Sequence, residues 1–281
     1  MILNNSDNKL TALVITYNEM EHIKKCIASV SFADEIIVVD SYSTDGTFEY
    51  LEALPNVRVI QRPFKNFTDQ KSFTLDKASN DWILFVDADE VVPRSLRTEI
   101  TQTIQKPNAL DAYWFYRKFM FKDSKLNYSG WQTDKNVRLF KKSQCRFAQH
   151  KLVHETLQIN GKTGVLKEKL VHYCYKGYSD YKAKMVHYGK LKAKELHSKK
   201  RSCNLFKLIG KPTWKFAYNY FIRLGFIDLH KGFTVCYLNA LSVYVRYDEL
   251  SKLQALTATK AKNTVTTNEK YKLNNVEMAA S

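Results

Sequence analysis

Cysteine is scarce and poorly placed for a framework. The chain has five, Cys26, Cys145, Cys174, Cys203 and Cys236, odd in number, scattered, and with no C-x-x-C pair. That argues against a disulfide scaffold or a zinc knuckle and for a reducing compartment. Glycine is also sparse, nine in 281 residues. No G-x-G-x-x-G follows the first predicted strand and no G-x-x-x-x-G-K-[ST] occurs anywhere, so neither a dinucleotide fold nor a P-loop is supported. Long apolar runs are missing too. The most apolar late stretch, FTVCYLNALSVYV (Phe233–Val245), falls well short of the roughly 20 residues of a spanning helix. The opening MILNNSDNKL is too polar for a signal peptide. The expectation is a soluble or peripheral protein.

What is present is unevenly distributed charge. The first 100 residues carry 10 Lys+Arg against 16 Asp+Glu, and the rest carry 34 against 12, for a net +16 overall. An acidic N-terminal part joined to a basic, aromatic-rich C-terminal part implies a division of labour, with anionic partners favoured by the latter.

Buried strands are predicted at LTALVIT (Leu10–Thr16), EIIVVD (Glu35–Asp40), VRVIQ (Val57–Gln61) and WILFVD (Trp82–Asp87). Helical patterns lie between them, in NEMEHIKKCIASV, FEYLEAL and DQKSFTLDKAS. Nearly all-apolar strands alternating with helices mean an α/β fold with a mostly parallel sheet covered on both faces. Ligands bind outside the carboxyl ends of such strands, and three of these ends are polar: Thr16-Tyr17-Asn18-Glu19, Asp40-Ser41 and Asp87-Ala88-Asp89-Glu90. Beyond Asp111, DAYWFYRKFMF, NVRLFKK and the stretch KLVHETLQINGKTGVLKEKLVHYCY suggest further strands. From Tyr178 to about Leu256 the chain reads as helical, and the last 25 or so residues lack periodicity.

Three carboxylates within four positions, directly after ILFV, would repel unless something positive sits among them. Asp87 and Asp89, two apart at a strand-to-turn boundary, can converge on a hard divalent cation that also binds substrate phosphates. A solvated acidic turn is the plain alternative. Asp40 likewise has two readings, as a cap for the following turn or as an acceptor for a nucleobase or ribose.

LVITYNE, IIVVDSYSTDGT, the helix beginning DQKS and WILFVDADE, in this order and spacing, resemble family 2 glycosyltransferases with the GT-A fold. NVRLFKK, LVHET, KLVHYCY and RLGFIDLHKGF are similar to the branch that contains the lipopolysaccharide-core glucosyltransferases. The resemblance spans roughly Leu10 to Leu250. It implies a Rossmann-like GT-A domain with residues 1–110 as its nucleotide-sugar half and 111–176 as its acceptor-side half. A basic helical extension (177–255) and a flexible tail (256–281) follow. It further implies inverting transfer of a hexose, first glucose, from a nucleotide-diphosphate donor, first UDP, to a glycan or glycolipid in cell-envelope synthesis.

By this resemblance Thr16, Tyr17 and Glu19 line the nucleotide, Asp40 reads the base, and Lys71 lies near the phosphates. Asp87 falls beside ribose and metal, Asp89 ligates Mn²⁺ or Mg²⁺, and His172 joins the metal or diphosphate. Where the family often has Asn after the Gln-Lys pair, this chain has Ser72. Inverting displacement needs a base for the acceptor hydroxyl, for which Glu155 and Asp134 are the candidates. Arg138 is a candidate for the acceptor or diphosphate, and Glu90 for bonding nearby backbone or orienting the acceptor. His150 and His154 lack the partners for a separate zinc site. Lys182 to Arg201, with Tyr178, Tyr181 and Tyr188, and then Trp214 to Arg223, combine cations and aromatics as membrane-surface helices do. A nucleic-acid-binding protein and a sugar nucleotidyltransferase are the rival classes. No nucleic-acid motif is present, and the Gly-rich loop expected of a nucleotidyltransferase is absent, so nucleic acid is not expected as a partner.

Overall fold

The apolar run LTALVIT forms β1 (Leu10–Thr16), the centre of a parallel arrangement with β2 (Glu35–Asp40), β3 (Arg58–Gln61) and β4 (Trp82–Asp87) in the order β3-β2-β1-β4. The computed structural model describes residues 8–121, 124–130, 133–148, 157–175 and 177–279. Strand side chains alternate between faces, and two cores result. Ala12, Val14, Val38, Leu84 and Val86 pack on one face against α1 (Ile23–Val30), α2 (Thr47–Glu52) and α4 (Arg94–Ile104). Leu13, Ile37, Ile83 and Phe85 face the other way, with Leu75 of α3 (Phe67–Asp76). The helix faces follow from spacing: Ile23, Cys26, Ile27 and Val30 recur at helical period and are all buried. Asn66 caps α3 by accepting the Asp69 N–H at 2.9 Å.

The chain then turns antiparallel. After the short β5 (Glu90–Val91), the long β6 (Ala112–Phe121) pairs with β7 (Ser124–Leu126) and β8 (Lys135–Lys141). β8 in turn lies antiparallel beside β4, with Leu84 opposite Leu139. β9 (Cys145–Phe147) and β10 (Leu157–Ile159) make a separate two-stranded sheet. β11 (Thr163–Val165) joins β6, and β12 (Leu170–Tyr175) pairs with β5, which sets His172 opposite Glu90. The expected α/β fold, parallel at its centre, is therefore what forms. The LVHET segment, with Glu155 and His154, and His150 lie outside the described residues.

The chain divides into two units, Met1–Asn127 with Trp131–Cys174, and Tyr128–Gly130 with Tyr175–Ser281. The second is helical, as expected. α5 (Tyr178–Ser198) packs on α7 (Leu229–Ala279) where Gly189 lets the helices close: a Cβ there would meet the Ser242 carbonyl at 2.8 Å. α7 keeps helical backbone through Ala279, across the stretch expected as a flexible tail. No helix among the described residues is long and apolar enough to cross a membrane.

The RLGFIDLHKGF motif forms the bend before α7. Leu224 and Leu229 hold φ of +58° and +53°, values costly for bulky side chains. Gly232 lies so near Gly225 that a Cβ on it would sit 1.8 Å from the Gly225 carbonyl oxygen. Backbone cannot yield as a side chain can. Gly232→Ala is therefore expected to destabilise by about 1–3 kcal/mol, seen as a lower urea midpoint at equal slope. An unchanged midpoint would mean that the two backbones do not approach this closely.

Candidate active site

Strand register assembles the rim. Thr16 lies opposite Asp40, and Ile15 opposite Asp87, so the carboxyl ends of β2, β1 and β4 stand side by side. Thr16 is buried with its hydroxyl lacking a hydrogen-bond partner, while Tyr17 projects with 59% exposure. Asp40 is wholly buried and caps its own turn. Its carboxylate accepts the Ser43 N–H at 2.9 Å, the Ser43 hydroxyl, and the Gln61 amide at 3.3 Å. The Ser43 hydroxyl oxygen also accepts the Asn18 N–H at 2.8 Å, and Asn18 returns the bond by accepting from Thr44 N at 2.8 Å. This clasp ties the loops after β1 and β2 together. Glu19 turns toward His22, with Oε2 3.0 Å from Nδ1.

The acidic cluster after β4 is neutralised from within. Arg138, on β8, donates through Nη2 to both Asp87 Oδ2 and Glu90 Oε1, the latter at 2.6 Å. Lys71, buried in α3, places Nζ 3.5 Å from Asp87 Oδ1. Arg117, on β6, reaches Glu90 Oε1 at 3.3 Å and Asp134 Oδ2 at 2.6 Å. Glu90 completes the knot by accepting the Asp87 backbone N–H through Oε2 at 3.0 Å. Burial opposes the charge of Asp87, but Arg138 and Lys71 outweigh it and hold the carboxyl well below the ordinary range. Arg138 is correspondingly raised: burial works against it, and Asp87 and Glu90 overcome that.

Arg138, a candidate for the acceptor or diphosphate, is paired here with the protein's own acids. Asp134 is likewise held by Arg117.

Asp89 goes its own way. Residues 88 and 89 form a turn rather than a strand, so the period that would put Asp87 and Asp89 on one face is lost. Asp89 Oδ2 lies 3.2 Å from His172 Nε2, brought there by the β5–β12 pairing and by the Tyr173 N–H donating to the Asp89 carbonyl at 2.9 Å. The Phe119 ring packs 5.2 Å from the imidazole, whose Nδ1 is buried without a hydrogen-bond partner. Burial lowers the His172 pKa, yet Asp89, with Glu90 behind it, leaves it raised overall.

Asp87, Asp89 and His172 therefore do not gather at one point. Among the described residues, no three His, Cys, Asp or Glu side chains form a metal-binding group. Asp89 and His172 alone fit a shared ion. Two adjacent ligands of an octahedral cation at about 2.1 Å stand about 3 Å apart, close to the separation here. The oxygens of Asp87 face Arg138 and Lys71.

Sequence reading overlooked Arg117, Gln61 and the role of Arg138. Each contact spans a long stretch of chain, and basic residues in an antiparallel strand carry no signal of which acid they will meet.

A rim of strand ends bearing an acidic turn, on a parallel α/β sheet, suits a transferase acting on phosphate-bearing donors, and comparison with known proteins makes the class definite: this is a glycosyltransferase. The profile of Glycosyl transferase family 2 matches residues 11–159, and the chain belongs to that family. A Rickettsia felis protein named "Uncharacterized glycosyltransferase" is 31% identical over 93% of this chain and 94% of its own length. The Rhizobium meliloti lipopolysaccharide core biosynthesis glycosyltransferase LpsC is 27% identical over 85% and 93%. A solved structure of S. aureus TarS 1-349 in complex with UDP is 16% identical, covers 88% of this chain and 91% of that one, and has a TM-score of 0.48, too low to bear on fold or ligand.

Arg138→Met would leave two acids without their shared cation. It is expected to cost about 3–5 kcal/mol, the usual penalty for stranding a buried charge. Because the folded-state pKa of Asp87 is depressed, its stabilisation is present above about pH 4 and is lost as pH falls toward the folded value. Urea midpoints measured against pH should therefore show a shallower acid limb in the variant. A variant as stable as the wild type would mean that the pairing contributes little.

Proposed function

We propose that the chain catalyses inverting transfer of a hexose, first glucose, from a nucleotide-diphosphate sugar, first UDP-linked, onto a glycolipid acceptor of the cell envelope. The name of the LpsC relative supports the envelope acceptor, and a lipid-linked acceptor implies work at the cytoplasmic face of the inner membrane. The observation that carries the reading is the split of the acidic turn. Asp87 and Glu90 are occupied by Arg138, Arg117 and Lys71, while Asp89 stands beside His172, 23% exposed at the rim. The basic side chains nearest the turn already serve the protein's own acids, so a donor diphosphate needs a cation from outside.

Mn²⁺ or Mg²⁺ held by Asp89 and His172 would neutralise charge on the departing diphosphate. Tyr17, exposed at the end of β1, offers a face for the nucleoside, with Thr16 and Glu19 shaping the loop beneath it. Asp40, through Ser43, fixes the neighbouring loop so that Ser41 and Tyr42 flank the same crevice. Lys71 and Arg138 keep Asp87 ionised and in place. Glu155 takes the acceptor proton as general base. Asp134 is the less suited of the two candidates, since proton uptake at Oδ2 would break its charge-assisted bond to Arg117.

The test is isothermal titration with UDP, GDP and dTDP, each with and without Mn²⁺, on the wild type, Asp89→Ala and His172→Ala. One nucleotide should bind in a metal-dependent manner, Asp89→Ala should abolish this, and His172→Ala should weaken it about 10–100-fold. Absence of binding by every nucleotide under both conditions would sink the mechanism. With the donor identified, Glu155→Gln should lower kcat by about 10²–10⁴-fold with nucleotide affinity retained; undiminished turnover would move the base elsewhere.

A further inference from the structure

We propose that the second unit docks on an anionic lipid bilayer through the helical segment and bend spanning residues 205–229, with its apolar side chains entering the headgroup boundary. The purpose of this docking rests on the reading of the acceptor as lipid-linked, but the surface itself is defined by other observations.

The first is exposure. Leu205, Phe206, Trp214, Phe221, Ile222 and Leu229 are each between 59% and 73% exposed. The segment is held together by ring contacts of its own. Phe216 stacks on Tyr220 at 5.3 Å and meets Phe233 edge-on at 5.5 Å, and Tyr220 contacts Phe226 at 6.3 Å. Pro212, Asn219 and Gly225 are buried beneath. The exposed side chains therefore project from a segment fixed by these contacts. α6 (Lys211–Ala217) is flanked by π-helical turns at Phe206–Gly210 and Tyr218–Ile222, a distortion that recurs at functional sites.

The second is charge. Between Leu205 and Leu229 there are four cations, Lys207, Lys211, Lys215 and Arg223, and one acid, Asp228. Asp228 is engaged with the Tyr128 N–H at 2.8 Å. The lysine-rich α5 makes a useful contrast. There Lys192 and Lys199 share Glu195, whose carboxyl they hold at about 2, and Lys184 pairs with Asp180. α5 also closes on α7 at Gly189 and buries Ala193 with Tyr247 and Leu250. α5 is a bundle helix with a solvated basic face, and the docking surface lies in the segment that follows it.

Aliphatic and aromatic tips among cations match an anionic interface, where rings and aliphatic chains enter the acyl boundary and cations stay among the headgroups. A second copy would set the same four cations against one another across a two-fold. Single-stranded nucleic acid would stack on the rings but gain little from Leu205, Ile222 or Leu229.

The experiment is flotation of the full chain with vesicles of phosphatidylcholine alone or containing phosphatidylglycerol, at low and high salt. The wild type should float only with the anionic vesicles and be released by salt. Phe206→Ser with Ile222→Ser should abolish flotation without changing the far-ultraviolet circular dichroism. Lys211→Gln with Lys215→Gln should weaken it about 30-fold, near fivefold per lysine. No flotation of the wild type, or flotation unchanged in both double variants, overturns the proposal. So does self-association that the apolar pair of substitutions removes, which would assign the surface to a second copy. Nucleotide titration on the same preparations separates the two readings: intact donor binding without flotation removes the docking alone. Flotation without donor binding removes the transfer mechanism alone.

Discussion

The site depends on one buried guanidinium. Arg138 bridges Asp87 and Glu90, and without it the two acids at the end of β4 would be left to Lys71 and Arg117 respectively. Burying ions is expensive, and such a pair seldom adds net stability over apolar residues of the same shape. What it fixes is geometry. Glu90 takes Arg138 and Arg117 on one oxygen and the Asp87 backbone N–H on the other. The turn between Asp87 and Glu90 is thereby closed at both ends, and Asp89, at its apex, has its direction set.

Much of this was legible in the sequence, and the reason is local. Four all-apolar runs ending in polar residues had to be buried strands with a polar rim, because burial on both faces leaves no other use for such runs. The amphipathic spacing in α1 is equally local. The neutralising cations are not: Arg138 lies 51 residues from Asp87, and His172 lies 83 from Asp89. No spacing rule links them, since antiparallel register and a two-residue strand, β5, decide who meets whom. The sequence sets Asp87 and Asp89 at a strand-to-turn boundary, and the chain does turn there, at Ala88 and Asp89.

Asp40 teaches a related lesson. A carboxylate at a strand end followed by Ser-Tyr-Ser-Thr-Asp suits both a ligand and a turn, and the two uses compete for the same lone pairs. Here the turn takes them, with Ser43 supplying both a backbone and a side-chain donor. The residue still serves the crevice, because the loop it fixes is clasped to the one after β1 by Asn18 and Ser43.

The same accounting separates the two halves of the chain. In the first unit, acids and bases sit within hydrogen-bond reach of one another, so the acidic turn presents little uncompensated field despite its composition. In the 205–229 segment, cations outnumber acids and lie beside exposed apolar side chains. Formal charge alone would have marked α5 as the adhesive helix, but its lysines are partly satisfied by Glu195 and Asp180. What distinguishes the segment proposed to dock is an excess of cations over acids next to exposed apolar side chains. That conjunction depends on packing, and packing is what the sequence leaves unstated.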